Sequence, residues 1–549
     1  MAKTSTVLLI GAEDEENLAV RTLAGFLESR GVAAQVVGFS SEEQTGAVLG
    51  AVRKTQPDIV AVSIAFQSLS GLFFRLVQRI RAQGYAGHVV VGGHFPTFEY
   101  RKILETQQGI DSVGRFEGEQ SLARLAEALG EGGDLAGVPN LVYRAGGGIR
   151  ENACIHEFPD VDRLPFPVRT RKAQVRLGER FATLVSSRGC WHCRCAYCCI
   201  GAFHRGKRRS FVLRSAENVA EELAWLTREK RVRLFQFHDD NFVLPSREAT
   251  SERVRDLVDA LGKKGVKTEE VAFLIKARPD TIDEEVAREL SRLGCVGVFL
   301  GIENACESGL DALMRGVTPE DIRRAVEALR RHGMIVTYNL LMFHPHATPR
   351  EIEENIAFAK ARPELPFDFG RAEIVAGSPL ETLVIKEGKL RGTWPHWDYV
   401  MDDPTVERMF QINMKTFRAK DSTYSSLMHS LIALSYHGAA MNRLHPGPAT
   451  SSLVSASGAL VIRANRFIVE CLQTALDLAR AGAGDAEVAR LHAKLKDGCT
   501  EYRREVLGLT NRMLRLQVAD RVFGFFNVRQ EAQGQRILWR LLGCRARPA

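Results

Sequence analysis

The sequence predicts an α/β protein in three parts: a doubly wound N-terminal sheet, a central partial (β/α)6 barrel and a mainly helical C-terminal domain. Three observations predict it. Short apolar runs alternate with helical spacings through the first 145 residues. A second series of strand–helix units, several opened by a cap residue, runs from about 181 to 400. Beyond 400 the β-rich stretches thin out and long amphipathic patterns take over.

Each element follows from its residues. The run 6–11, Thr-Val-Leu-Leu-Ile-Gly, reads as a buried parallel strand closed by a glycine. Leu18, Leu23, Phe26 and Leu27 then fall at helical spacing up to Gly31. Residues 32–39, 58–64 and 88–93 are further strands, with a helix over 71–83 between the last two. This is the pattern of a Rossmann-like domain, although no G-x-G-x-x-G is present. Ligands of such sheets bind beyond the carboxyl ends of the strands, where Gly11, Ser63, Gly92 and Gly93 lie.

Gly146-Gly147-Gly148 and the proline-rich run 158–167 mark a boundary and an extended linker over 146–180. A strand at 182–186 leads into a cysteine-rich loop, and Ser215 caps the helix beyond it. The basic run 205–209, with Lys207 and Arg208, is a solvated face or a contact for a phosphate or an acidic redox partner. Strand 234–237 ends in His238-Asp239-Asp240-Asn241-Phe242, two carboxylates at the end where barrel enzymes keep their chemistry. Strand 271–276 is followed by a capping box from Thr281 to Glu284. Strand 297–304 ends in a carboxylate, Glu303. Thr318-Pro319 opens the next helix, and strand 335–342 precedes Thr348-Pro349. Helices are expected over 410–417, 427–440, 461–478 and 502–518 in the domain 401–549. Tyr424, Ser425, His429, Tyr436 and His437 there line a substrate cavity or fill the core. Arg540, Arg545 and Arg547 form a basic, loose terminus.

Composition narrows the function classes. A chain of 549 residues with 45% hydrophobic and 26% charged residues is an ordinary globular protein. The net charge of +8 suits anionic ligands without demanding nucleic acid, and no aromatic–basic interleaving appears. The polar start leads straight into a strand, so no signal peptide is expected, and no apolar run reaches a membrane span of about 18 residues. An odd count of 11 cysteines without a secretory signal argues for a reducing cytoplasm.

Five of those cysteines, Cys190, Cys193, Cys195, Cys198 and Cys199, fall within ten residues. A disulfide knot would need an oxidising compartment and a small, core-poor domain. Zinc normally wants a second Cys/His pair downstream, and His204 alone is a weak candidate. Three cysteines on a four-iron cluster leave one iron open to a small molecule.

Ser187-Arg188-Gly189-Cys190 followed by Cys195-Ala196-Tyr197-Cys198 resembles the cluster loop of radical S-adenosylmethionine (SAM) enzymes, C-x3-C-x2-C with an aromatic before the last cysteine. The match is imperfect. Cys190, Cys195 and Cys198 give C-x4-C-x2-C and put Tyr197 in the family's place. The alternative set Cys190, Cys193 and Cys198 gives C-x2-C-x4-C. The first set is the expected [4Fe-4S] ligand set, with Cys193 and Cys199 as spare thiols; one extra residue bulges out of a loop at little cost.

The first 120 or so residues resemble the cobalamin-binding domain that precedes many radical SAM domains. The features are Pro57-Asp58-Ile59-Val60 leading to Ser63, Gly92-Gly93-His94-Phe95-Pro96-Thr97, and Ile110-Asp111-Ser112-Val113 leading to Glu117-Gly118-Glu119. The resemblance implies cobalamin contacts at Gly11, Ser63, Gly92, Gly93 and Glu117. D-x-H-x-x-G is absent, which implies no histidine ligand to cobalt, and His94 is expected to be a loop residue. In the second domain the resemblance implies SAM contacts at Tyr197, Asp239, Asp240, Glu303 and Arg315. The guanidinium would take the SAM carboxylate, and a carboxylate the SAM ammonium. The family's glycine-proline-glycine turn is replaced by Phe343-His344-Pro345-His346-Ala347-Thr348, which makes His344 and His346 acid/base candidates. Ala376-Gly377-Ser378-Pro379-Leu380 resembles the family's last barrel loop.

The resemblance implies a cobalamin-dependent radical SAM methyltransferase. Reductive SAM cleavage yields a deoxyadenosyl radical that removes a substrate hydrogen. Methylcobalamin, recharged by a second SAM, then methylates the substrate radical at an unactivated carbon or at phosphorus. The expected substrate is a small-molecule or peptide biosynthetic intermediate, and the expected partner a flavodoxin- or ferredoxin-type electron donor. Two alternatives stand beside it: a cobalamin-binding radical SAM cyclase or rearrangement enzyme without net methylation, and a non-catalytic zinc-binding module.

Overall fold

The computed structural model describes residues 5–132, 134–155, 157–204 and 209–520. The expected basic contact at Arg205, Lys207 and Arg208 and the terminal arginines 540, 545 and 547 lie outside the described residues. The chain divides into two compact units that interleave along the sequence. The first comprises residues 1–171, 188–214 and 374–398, and the second 172–187, 215–373 and 399–549.

In the first unit a seven-stranded sheet has the order β2-β1-β3-β4-β5-β6-β7. These strands are β1 Thr6–Gly11, β2 Ala33–Gly38, β3 Ile59–Ser63, β4 His88–Gly92, β5 Ser112–Gly114, β6 Leu141–Ala145 and β7 Gly148–Glu151. The first five are parallel, and β6 and β7 are antiparallel additions. Alternation along each strand splits its side chains between two cores. Val7, Leu9, Ile59, Ala61 and Val90 pack under helices α1 Leu18–Glu28 and, further along the chain, Gly118–Gly130. Leu8, Ile10, Val60, Val62, Val89 and Val91 pack on the opposite side under α2 Thr45–Thr55, α3 Ser70–Ala82 and α4 His94–Thr106. The helix Gly118–Gly130 is α5. Such two-sided burial is what continuous apolar strands need. Gly146 and Gly147, expected at a domain boundary, are instead the left-handed turn (φ 58° and 79°) of the β6–β7 hairpin that finishes this sheet.

The second unit carries a sheet in the order β16-β15-β14-β13-β12-β9-β8. Its strands are β8 Gln174–Arg176, β9 Glu179–Leu184, then, after the short pair β10 Ser187–Gly189 and β11 Phe211–Leu213, β12 Leu234–Phe237, β13 Ala272–Ala277, β14 Cys295–Leu300, β15 Ile335–Phe343 and β16 Phe367–Arg371. Six strands run parallel in chain order, and β8 is antiparallel. After α6 Ile200–Phe203, the intervening helices are α7 Ala216–Glu229, α8 Arg247–Lys263, α9 Glu284–Leu293, α10 Glu307–Ala312, α11 Pro319–Arg331 and α12 Pro349–Ala361. Their caps explain their starts. Ser215 accepts from Asn218 N, Thr318 from Asp321 N with a reciprocal capping box, and Thr348 from Glu351 N. The expected box at Thr281 does not form: Asp283 caps α9 through Val286 N, and Thr281 is buried. An Asp adjacent to the first turn outcompetes a hydroxyl two positions earlier.

After α13 Pro379–Lys386 and the ribbon β17 Arg391–Thr393 with β18 His396–Asp398, four more helices follow among the described residues: α14 Pro404–Lys415, α15 Tyr424–Leu444, α16 Pro448–Arg480 and α17 Asp485–Asp520. They are longer than their periodicity suggested. Helix α16 corrects one expectation, because by length and composition it could cross a membrane. It packs on α12, α14, α15 and α17, and buried Asn465 donates to the carbonyls of Pro363 and Leu365. A core helix of a folded domain passes the same length test.

Candidate active site

The cysteine loop belongs to the first unit, and its five cysteines are half-buried. Cys193 adopts a left-handed backbone (φ 50°), and its thiol donates to the Cys190 carbonyl at 2.6 Å. Gly201 of α6 lies so close that a Cβ there would stand 2.1 Å from the Cys193 carbonyl oxygen, which excludes any side chain. Cys198 N donates to Cys195 O (3.1 Å), closing a turn around Ala196 and Tyr197, and Leu380 N holds Ala196 O at 2.7 Å. Among the described residues no three His, Cys, Asp or Glu side chains converge as ligands of a single ion would. A four-iron cluster takes one thiolate per iron at separate corners, so three soft donors in one loop fit it.

The loop is anchored by its own second residue. Arg188 Nη1 donates to Glu117 Oε2 (3.0 Å) and Nη2 to Glu119 Oε1 (2.6 Å) at the start of α5. Burial disfavours the charge, and Glu119 and Glu117 more than offset it, so the guanidinium is held above its usual range. At the loop's far end Phe203 sits against the rings of His94 (4.7 Å), Phe116 (5.7 Å) and Phe98 (6.4 Å).

The expected cobalamin contacts lie at the carboxyl ends of β1, β3 and β4. Three of the glycines serve the fold there. A Cβ on Gly11 would meet Asn17 and Val20, one on Gly92 the Gly114 carbonyl, and Gly93 (φ 109°) presses against the Ile64 carbonyl. Ser63 is half-buried, and Glu117 stands at the N-cap position of α5 with its side chain turned to Arg188. Phe66, just beyond β3, is 65% exposed. These carboxyl ends are where ligands of doubly wound sheets bind, and their close-packed glycines let a broad planar ligand such as a corrin approach the backbone. His88 lies at the opposite, amino end of β4 and is bonded to Ser112 Oγ (2.7 Å).

In the second unit Asp239 is 1% exposed and accepts three hydrogen bonds. It accepts from Ser186 Oγ (2.7 Å), Ser186 N (3.1 Å) and the Ser187 hydroxyl, while the adjacent Asp240 is exposed. Arg253 of α8 donates to Ser186 Oγ (2.6 Å) and O (3.2 Å). The structure does bring Glu303 and Arg315 together. A Cβ on Gly301 would lie 3.0 Å from Arg315 Nη2 and 3.4 Å from Glu303 Oε1. Arg315 Nη2 also donates to Gly301 O (2.5 Å), and Glu303 has a left-handed backbone (φ 65°). His344 is 2% exposed and bonded to Glu351 (2.9 Å), which also takes the Ser308 hydroxyl; this is a buried brace at the start of α12. His346 pairs with Asp402 (2.7 Å) on the surface.

Strand register exposes residues that motif reading passed over. At the amino ends Phe181, Leu234 and Ala272 are neighbours on one face and pack under Ala440 and Leu444 of α15. One step along the same face, Tyr436 lies over Gly297 and bonds Thr337 Oγ1 (2.5 Å). Toward the carboxyl ends the face opens. Lys276 neighbours Phe299, Asn339 neighbours Asp368, and Leu341 neighbours Gly370, all half-buried. Asp368 takes Arg418 (3.0 Å), the Tyr424 hydroxyl (3.1 Å) and Phe369 N on Oδ1 alone. Of the helical residues expected at a cavity, Tyr424 and His437 are buried and bonded, Tyr436 is half-buried and bonded, and Ser425 takes Arg418 (2.7 Å). Burial lowers the His429 imidazole, with Asp368 opposing.

Known proteins share this arrangement of parts. A B12 binding domain model matches residues 5–126, and a radical SAM superfamily model matches 184–359. The chain joins a B12-binding domain to a radical SAM domain. An uncharacterized methyltransferase, PH0819 of Pyrococcus horikoshii, is 28% identical over 60% of this chain and 69% of its own length. The anaerobic magnesium-protoporphyrin IX monomethyl ester cyclase of Synechocystis is 28% identical over 45% of this chain, and the hopanoid C-3 methylase of Methylococcus capsulatus 26% over 52%. The matches span about half of those two relatives, 48% and 53%. Among solved structures, the radical SAM methyltransferase TsrM of Kitasatospora setae, with cobalamin and a [4Fe-4S] cluster bound, superposes at TM-score 0.60 and 19% identity over 74% of this chain and 79% of its own. The cobalamin-dependent SAM radical enzyme OxsB, with aqua-cobalamin and SAM bound, does so at 0.66 and 17% over 99% and 84%. At those identities the likeness is one of fold.

The radical SAM domain thus contains the strand ends bearing Asp239, Glu303 and Arg315, and the B12-binding domain those bearing Gly11, Ser63, Gly92, Gly93 and Glu117. Ser187 and Arg188 belong to the loop motif, which assigned them no role; Ser186 and Phe203 had only their place beside the cysteines as a cue, and Arg253 had none.

Proposed function

We propose that the chain is a cobalamin-dependent radical SAM methyltransferase, acting on an unactivated carbon or on phosphorus of a small-molecule or peptide biosynthetic intermediate. The observation that carries this reading is the order of its parts: a B12-binding domain, then a three-cysteine loop opening a radical SAM domain. When bound, the cluster supplies an electron for SAM cleavage and the corrinoid supplies a methyl group. The chain's own part is to bind and orient. Cys190, Cys195 and Cys198 would hold the cluster, since the Cys193 thiol is turned to the Cys190 carbonyl. Arg315 and Glu303, placed beside Gly301, would hold the SAM carboxylate and a ribose or amino group, and exposed Asp240 the ammonium. The half-buried row Lys276, Phe299, Asn339 and Asp368 on the face of a six-stranded partial barrel would orient the substrate. A flavodoxin- or ferredoxin-type protein in the cytoplasm would supply the electron.

A second reading, a cyclase without net methylation, rests on the curated relatives named as magnesium-protoporphyrin ester cyclases. The test is anaerobic purification with iron, sulfide and cobalamin quantified, then SAM cleavage and product mass. Methylation adds one carbon to the product, and cyclisation adds none. Cys195→Ala abolishes cleavage and Cys199→Ala does not; normal cleavage by both variants refutes the ligand set. A preparation holding only zinc refutes the reading altogether.

A further inference from the structure

We infer that Asp239 is a positioning residue for the cluster loop, not a contact to SAM. The inference rests on the cluster assignment proposed above. A carboxylate offers about four lone-pair directions. Three of those of Asp239 are met, by the Ser186 amide, the Ser186 hydroxyl and the Ser187 hydroxyl, in a residue 1% exposed. Ser186 (0% exposed) in turn accepts Arg253 Nη2 on both its hydroxyl and its carbonyl. Arg253 also donates to the Phe242 carbonyl (3.0 Å), and its guanidinium stands 5.2 Å from the Phe242 ring. Burial pulls the Arg253 side chain down from its usual range, and the Asp239 charge works against that pull.

The result is a closed carboxylate–hydroxyl–guanidinium network. Its acidic member comes from the end of β12 and its basic member from α8, with Ser186 and Ser187 gripped between them. Those serines lead directly into Arg188, Gly189 and Cys190. Fixing Ser186 by backbone and side chain, and Ser187 by its hydroxyl, sets where the chain leaves β9 and where the first ligand candidate begins. A SAM ammonium would have to reach a carboxylate that is 1% exposed and already holds three hydrogen bonds, whereas Asp240 is exposed.

The full chain is prepared anaerobically as wild type, Asp239→Asn, Ser187→Ala, the double variant and Asp240→Asn. Iron and sulfide per chain, the electron paramagnetic resonance spectrum of the reduced cluster, bound cobalamin and SAM affinity are read for each. Asp239→Asn is expected to lose iron and sulfide about tenfold, the scale of an outer-shell defect, with cobalamin retained. Ser187→Ala shows a smaller loss of the same kind, and the double variant is no worse than Asp239→Asn because one network is broken twice. Asp240→Asn keeps its cluster and loses SAM affinity. Retained cobalamin separates a displaced loop from an unfolded chain, and Ser187→Ala keeps the test readable if Asp239→Asn does not fold. A full cluster in Asp239→Asn and Ser187→Ala overturns the inference, as does weakened SAM binding by Asp239→Asn with its cluster intact. Absence of iron from the wild type refutes the cluster assignment itself.

Discussion

Arg188 and Glu119 meet at 2.6 Å, with Glu119 only 5% exposed, and the same guanidinium reaches Glu117. The three charges sit where α5 begins, so the helix terminus favours the two acids and the acids favour the arginine. A fork is required, because each guanidinium edge serves a different carboxylate. Arg188→Met should therefore cost about 3 kcal/mol, the scale of a buried pair broken on one side. Arg188→Lys should recover part of that through one carboxylate. Urea unfolding of the two variants, compared at constant denaturant dependence, measures both values.

Gly201 gives the second prediction. Its missing side chain lets α6 pass the Cys193 carbonyl, and backbone cannot yield as a flexible side chain would. Gly201→Ala should push the loop outward, lowering iron incorporation while circular dichroism of the apoprotein stays unchanged. Normal iron content in this variant would show that the loop tolerates a shift there.

Much of the fold was legible because parallel strands buried on both faces are written as unbroken apolar runs. Residues 6–11 and 234–237 were bounded correctly for that reason. Pro at the first helical position made the starts of α11 and α12 equally plain. What was not legible depended on distance. The adjacent acids Asp239 and Asp240 look alike in sequence. One is consumed by serines 53 and 52 positions earlier and the other is exposed, which only folding decides. The triple glycine at 146–148 reads equally well as linker and as hairpin turn, because glycine's freedom serves a flexible segment and a left-handed turn alike. The half-buried row was not legible because Lys276, Asn339 and Asp368 become neighbours through sheet order, not spacing.

That row yields the third prediction. Lys276 is half-buried on a face whose amino-terminal half is filled by α15, so its ammonium is directed to the open half. Lys276→Met keeps the aliphatic stem and removes the charge. Uncoupled SAM cleavage should persist, and product formation should fall by about tenfold or more, the scale of one lost charged hydrogen bond. Equal loss of both activities would place Lys276 at the SAM site instead.

The last prediction concerns acid. His437 is 1% exposed, and its Nε2 is bonded to Gln517 Oε1 at 3.0 Å between α15 and α17. Burial lowers its imidazole to about 4, against smaller upward pulls from Gln517 and Glu179 and a downward one from His445. A depressed value means that the folded protein prefers the neutral ring. The stabilisation is therefore complete above the ordinary histidine value of about 6.5 and disappears as pH falls through about 4. Its full size is about 3 kcal/mol, since every tenfold weakening of proton binding is worth about 1.4 kcal/mol. His437→Leu cannot take up that proton. Its melting temperature should fall less steeply than the wild type's between pH 6.5 and 4, whatever its value at pH 7. Parallel slopes would mean that acid does not loosen the α15–α17 contact through His437.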